Sequence, residues 1–256
     1  MKISILSLSI TILMAAGCTS GKKDQPTTNI NKKSSMENIS NNSEESQKSK
    51  ELYPKLSNYI ESVIKEIDTI PEDRKQELKK VALFVQSKRL SDEPANLVFI
   101  CTHNSRRSQM SQIWAATAAA YYKMEEDINT YSGGTETTAF NQRAVAAIQR
   151  AGFKVENPGG FNPHYMVSYA DKAQKMECFS KKYNDPYNDA KNFVALMTCS
   201  KADESCPYIP GASLRVTIPY IDPKEADYSQ QETAAYDARC RQIAREMLYI
   251  MSQAKG

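Results

Sequence analysis

The stretch NLVFICTHNSRRSQMSQIW, Asn96 to Trp114, sets an apolar run against a basic, hydroxyl-rich turn and then a helical pattern. ANLVFICT is short, continuous and bounded by polar residues, which predicts a buried strand. Met110, Ile113, Trp114 and Tyr121 place an apolar face on the helix behind it. A strand that stops at Cys101 and a helix that starts near Arg107 leave a short loop whose backbone N–H groups can converge. Together with the helix N-terminus they make a site for a tetrahedral oxyanion. Arg107 can grip two oxygens of such a guest through parallel charge-assisted hydrogen bonds. The same positive field favours thiolate over thiol at Cys101, and Ser108 can donate to that thiolate. The Cys101-x5-Arg107-Ser108 spacing therefore predicts a nucleophile aimed at the atom the loop holds. The plainer alternative is a buried cysteine beside a solvated basic turn.

Outward from this stretch, strands and helices alternate. INTYSGG reads as a second strand and NQRAVAAIQRAG as a helix, with Asn141 as N-cap and Gly152 just past its end. NFVALMTCS is another continuous apolar run, and SLRVTIPYID a fourth strand candidate. The last helix is predicted to open at Ser229, with Glu232 completing a capping box, and to bury Tyr236, Cys240, Ile243, Met247 and Ile250. Within 158–189, YMVSYADKAQKMECFSKKY reads as a hairpin. Upstream, Leu52, Leu56, Tyr59, Ile60, Val63, Ile64 and Ile67 recur at helical spacing. Leu78, Val81, Ala82 and Val85 do so again after Pro71, which suits a first helical turn. The expected fold class is α/β: a doubly wound, three-layer domain with a small, mostly parallel sheet, preceded by two helices.

The 256 residues carry a formal charge of only +3, with both signs mixed along the chain, so no nucleic-acid partner is expected. Lys2 precedes the apolar run ISILSLSITILMAAG, too short to span a bilayer comfortably, and MAAGC at its end resembles the lipobox of bacterial lipoproteins. That resemblance implies a signal peptide over 1–17, lipid attachment at Cys18, and an exported chain tethered to a bacterial membrane and facing the periplasm. A plain secretory signal and an uncleaved anchor are the alternatives. Residues 18–50 are too polar to bury a core and read as a disordered tether reaching roughly 30 Å. A helical extension over 51–92 and a catalytic domain over 93–256 follow. Five further cysteines, Cys101, Cys178, Cys199, Cys206 and Cys240, leave an odd thiol even if others pair. With only His103 and His164 present, and nothing near Cys206 to complete a ligand set, zinc is not expected; nor is any other metal or cofactor.

CTHNSRRSQM resembles the catalytic loop of the low-molecular-weight protein tyrosine phosphatase superfamily, which includes the thioredoxin-coupled arsenate reductases. The likeness continues through YSGGTETTAFNQRAVAAIQRAGFKV to the final helix, from about Asn96 onward. It implies an oxyanion held by the loop Thr102, His103, Asn104, Ser105 and Arg106, with Cys101, Arg107 and Ser108 catalytic and Asp222 of the Asp222-Pro223 pair as general acid. It further implies that the substrate is arsenate or a phosphate-type oxyanion. MTCSKADESCPYIPGA is similar to the redox segment of the reductase branch, with Cys199 and Cys206 as second and third thiols of a disulfide relay emptied by a thioredoxin-like reductant. A static disulfide is the bland reading of that pair. Two alternatives to a reductase stand: a protein tyrosine or small-molecule phosphatase on the same loop, and a lipid-anchored oxyanion-binding protein with little turnover. Some positions depart from the family pattern. His103 stands where glycine is usual, and histidine tolerates positive φ better than most residues. Arg106 replaces a small or sulfur-bearing residue. Gln112 stands where many reductases have a glutamate that helps hold potassium, while Asn104 and Ser132 match other parts of that site.

Overall fold

The structure, a computed structural model, describes residues 51–255 apart from Asp189. The expected lipobox, the expected lipid attachment at Cys18 and the expected tether lie outside the described residues. Strand β1 (Ala95–Cys101) is apolar on both faces, as a central strand covered on two sides must be. Its side chains alternate: Leu97 and Phe99 join a large core on one face, Val98 and Ile100 a smaller one on the other. β2 (Ile128–Gly134) pairs with it in parallel on one side, and β6 (Phe193–Met197) on the other, with β7 (Ala212–Thr217) parallel beyond β6. The order β2-β1-β6-β7 reverses direction at β1. In doubly wound sheets the carboxyl ends of strands at such a reversal open a crevice, and β1 ends there on Cys101.

The large core is covered by helices α1 (Pro54–Ile64), α2 (Glu72–Leu90), α3 (Arg107–Tyr121), α4 (Gln142–Ala151) and α6 (Glu232–Lys255). Helix α6 packs against the other four. At its centre Trp114 is fully buried, stacked on Tyr59 and edge-on to Phe153, and donates its indole N–H to Cys240 Sγ at 3.2 Å. The two leading helices thus share the core of the α/β unit. The opposite face of the sheet is covered more lightly, by the short helix α5 (Ser200–Ser205) and by Ile209, Tyr183 and Ala190. Between β2 and β6 the chain forms a small antiparallel sheet, β3 (Lys154–Glu156), β4 (Tyr165–Ser168) and β5 (Met176–Cys178), so the expected hairpin is present as β4–β5. Among the described residues no helix is long and apolar enough to cross a membrane.

Helix α4 ends as predicted: Asn141 Oδ1 accepts from Arg143 N at its start, and Gly152 follows it at φ +120°. A Cβ at Gly152 would come within 2.6 Å of the Leu56 backbone, so glycine also lets α1 approach. Four expectations shift. Tyr121 is 36% exposed, because Ala115, Ala118 and Ala119 complete the buried face of α3. Pro71 sits at the N-cap of α2 rather than in its first turn. β7 stops at Thr217, although Ile218 N and Tyr220 N still donate to Met197 O and Thr198 O. α6 opens at Glu232, whose carboxylate reaches back to Tyr228 N at 2.7 Å while Ser229 Oγ accepts from Gln231 N.

Because α1 is part of the core, Leu56→Ala should cost ~2–5 kcal/mol and lower a single denaturant transition of the whole unit. A separate early transition for the leading helices would contradict this.

Candidate active site

The loop after β1 owes its shape to what its carbonyls do. Cys101 O accepts from Thr135 N, Thr102 O from Glu136 N, and Ser105 O from Asn141 N. His103 O accepts from Ser180 Oγ and Asn104 O from Gln109 Nε2. A trans peptide points its C=O and N–H in opposite directions. Five consecutive carbonyls engaged outside the loop therefore turn the N–H groups of residues 102 to 106 into the space it encloses. The first turn of α3 adds its own orphan donors, since Arg106 at the N-cap supplies no side-chain cap. The result is a cup of amide donors with Cys101, 3% exposed, at its floor.

Asn104 locks the loop. It adopts φ +45°, while His103 does not have positive φ, so the left-handed turn falls one residue later than the His103 substitution suggested. The physical reason lies in its side chain: Asn104 Oδ1 accepts from Lys181 N and Gln109 Nε2, and its Nδ2 donates to Ser108 Oγ at 2.9 Å. A hydroxyl that accepts from Asn104 keeps its own proton for Cys101 Sγ, 3.1 Å away. Gly134 closes the loop from the side. A Cβ there would lie 2.7 Å from Thr102 O and 2.8 Å from Asn104 N, both rigid backbone.

Asp222 sits across the mouth between two arginines. Arg106 Nε reaches Oδ1 at 2.7 Å, Arg107 Nη2 reaches Oδ2 at 2.8 Å, and Arg107 Nη1 also donates to Tyr220 O at 3.0 Å. Burial pushes the Asp222 carboxyl up, but the Arg106 hydrogen bond and the charges of Arg107 and Arg106 outweigh it and hold it below the usual range. Arg106, expected as part of the oxyanion loop, spends its side chain on this clamp. Arg107 likewise rests on Asp222 and Tyr220.

Cys199 caps α5 at its start, accepting from Ala202 N, and lies 3.5 Å from Thr102 Oγ1. Cys206 follows the other end of the same helix and is half-buried. Cys178 and Cys240 are fully buried, with thiols pushed up to about 12 by burial, and belong to the core. Around β2, Gln112 Oε1, Ser132 Oγ and Asn188 Oδ1 are buried without partners, while Asn104 Oδ1 is already engaged. Neutral oxygens of this kind suit a monovalent cation, which would brace the end of β2.

The arsenate reductase of Staphylococcus aureus strain Newman is 30% identical over 135 residues, 52% of this chain and 82% of the relative. That of the bovine strain RF122 is 33% identical over 115 residues, 44% and 67% of the two chains. The chain belongs to the low-molecular-weight phosphatase and arsenate reductase superfamily. No family model matches it. Solved structures similar to it include a YwlE mutant from Bacillus subtilis (12% identity, 63% of this chain and 99% of that one, TM-score 0.45). Another is an arsenate reductase in the phosphate-binding state (17%, 62% and 98%, TM-score 0.41). As a member of this superfamily the protein is an enzyme of the arsenate reductase or phosphatase type. The matched 135 residues are about half the chain.

Two outcomes follow from the geometry. Gly134→Ala should abolish phosphate binding to the loop, read by calorimetry, because no neighbouring backbone atom can retreat; retained binding would show that the loop tolerates a Cβ there. Asp222, its pKa lowered by the clamp, contributes stability above about pH 4 and loses it as pH falls through its lowered value. Asp222→Asn should therefore flatten the acid limb of a plot of Tm against pH.

Proposed function

We propose that the protein reduces arsenate to arsenite, with Cys101 as nucleophile and Cys199 and Cys206 as a disulfide relay. The observation that carries this reading is the place of Cys199: its sulfur touches the side chain of Thr102, the residue directly after Cys101, and both sulfurs lie in one apolar cluster. The sheet delivers it there. Ile100 faces Met197, and Thr198 N–H donates to Ile100 O at 2.7 Å, so the chain leaves β6 alongside the loop.

Cys101 thiolate attacks arsenic(V), and the departing oxygen leaves as water with a proton from Asp222. Cys199 thiolate then attacks Cys101 Sγ. The sulfur–arsenic bond breaks, its electron pair stays on arsenic to give arsenite, and a Cys101–Cys199 disulfide forms. Cys206 attacks Cys199 in turn and restores Cys101 thiolate. At rest Asp222 is ionised by its arginines. An oxyanion that takes Arg107 removes a cation from the carboxylate and sets negative charge beside it, and both changes raise its affinity for a proton. The acid is charged by the arrival of its substrate.

Cys199 and Cys206 cap opposite ends of α5. Seven helical steps separate their Cα atoms by about 10 Å, beyond the ~7 Å limit for a disulfide. The last exchange therefore requires α5 to unwind. Cys206 is the more exposed thiol, and Tyr208 beside it is 76% exposed, which suits docking of a thioredoxin-like reductant. Tethering of the exported chain through Cys18 belongs to the same reading and rests on the MAAGC motif alone.

One observation favours a phosphatase acting on a small or tyrosyl phosphoester. A cavity of about 450 Å³ opens beside His103, Ser105 and Arg106, lined by Phe140, Phe161 and Tyr165, far larger than a lone tetrahedral ion.

Paired variants decide between these readings. In mass spectra taken after arsenate is added without reductant, the native chain should hold a Cys199–Cys206 disulfide. Cys206→Ser should stop after one turnover at a Cys101–Cys199 disulfide, and Cys199→Ser should release no arsenite. Full turnover by both variants would leave the phosphatase standing. Cys18→Ser should move the chain out of the membrane fraction; unchanged membrane association would end the lipid-anchor reading.

A further inference from the structure

Tyr220 joins the catalytic loop to the leading helix α2. Its carbonyl accepts from Arg107 Nη1 at 3.0 Å, and its N–H donates to Thr198 O at 3.1 Å, one residue before Cys199. Two residues later comes Asp222. The Tyr220 hydroxyl donates to Glu246 Oε2 of α6 at 2.8 Å, and Glu246 is 1% exposed. A lone carboxylate cannot persist at that depth without a cation. Arg74 of α2 supplies it, with Nη2 at 2.7 Å and Nε at 3.1 Å from the same oxygen, while its guanidinium lies 5.0 Å over the Tyr220 ring. Gln242 Nε2 donates to the other oxygen at 3.0 Å. Every polar atom of Tyr220 is thus committed, to Arg107, to the end of β6 and to the Arg74–Glu246 pair.

We infer that Arg74 and Glu246 are positioning residues for oxyanion binding: by fixing Tyr220 they set the place from which Arg107 addresses the loop. The extension over 51–92 would then support the site as well as pack on it. This rests on the reading of Arg107 as the oxyanion's grip. Neither residue touches the guest. Their effect passes through one main-chain carbonyl and through the short segment that carries Asp222, so it should appear in oxyanion affinity as well as in stability.

The test is calorimetric titration of the reduced full chain with inorganic phosphate, beside a thermal melt of each variant. Arg74→Gln combined with Glu246→Gln removes the pair without leaving a buried lone charge. Tyr220→Phe removes only the hydroxyl link and keeps the ring. Both should weaken phosphate binding about fivefold or more, and Arg74→Lys should fall between them and the native chain. If the double variant does not fold, Tyr220→Phe decides alone. A lowered Tm with phosphate affinity within about twofold of native in the folded variants would make the pair a packing device only and overturn the inference. A native chain that binds no phosphate would instead remove the oxyanion reading, and this inference with it.

Discussion

The structure depends on the outward pull on five consecutive carbonyls, Cys101 to Ser105. Each is engaged by a group from elsewhere: the turn after β2, the segment after β5, the first turn of α3 and the N-cap of α4. An isolated loop of this sequence would have no reason to aim all its amides one way, because each peptide would be free to turn toward water. The parallel sheet supplies the reason. β1 ends between β2 and β6, so both neighbours deliver loops to the same edge, and those loops hold the carbonyls that leave the amides pointing inward.

A cup of amide donors needs negative charge nearby or within it. At rest Asp222 supplies that charge from outside, holding Arg106 and Arg107 in a paired, partly buried clamp. On the proposed reading an oxyanion that draws Arg107 away would replace one anion by another at that guanidinium, while Arg106 stays on Asp222. Ser108 completes the arrangement at the floor, where its proton is directed to sulfur because its lone pair is already taken by Asn104.

Much of this was legible in the sequence, and the reasons differ by residue. The continuous apolar run of β1, the Asn141 cap and Gly152 are local signals, decided by neighbours in the chain, and all three hold. The Cys-x5-Arg-Ser spacing was readable because a strand end and a helix start bound the loop. Asn104 as the left-handed residue was not, since its conformation is held by Lys181, 77 positions away. The sharing of Asp222 by Arg106 as well as Arg107 was hidden for the same cause, a contact across 116 positions. Arg74, Glu246 and Tyr220 carry no motif at all. A charged residue on a helix reads as solvent-facing until the buried partner is known, and no local pattern announces that partner.

On the proposed reading the amides of residues 102 to 106 form the receptor for a tetrahedral oxyanion. The direct measurement is an amide ¹H–¹⁵N spectrum of the reduced chain titrated with inorganic phosphate. Saturable shifts should appear, largest at Thr102 to Ser108 and at the Arg107 side chain. Saturation with those signals unmoved, and the largest shifts elsewhere on the surface, would contradict it.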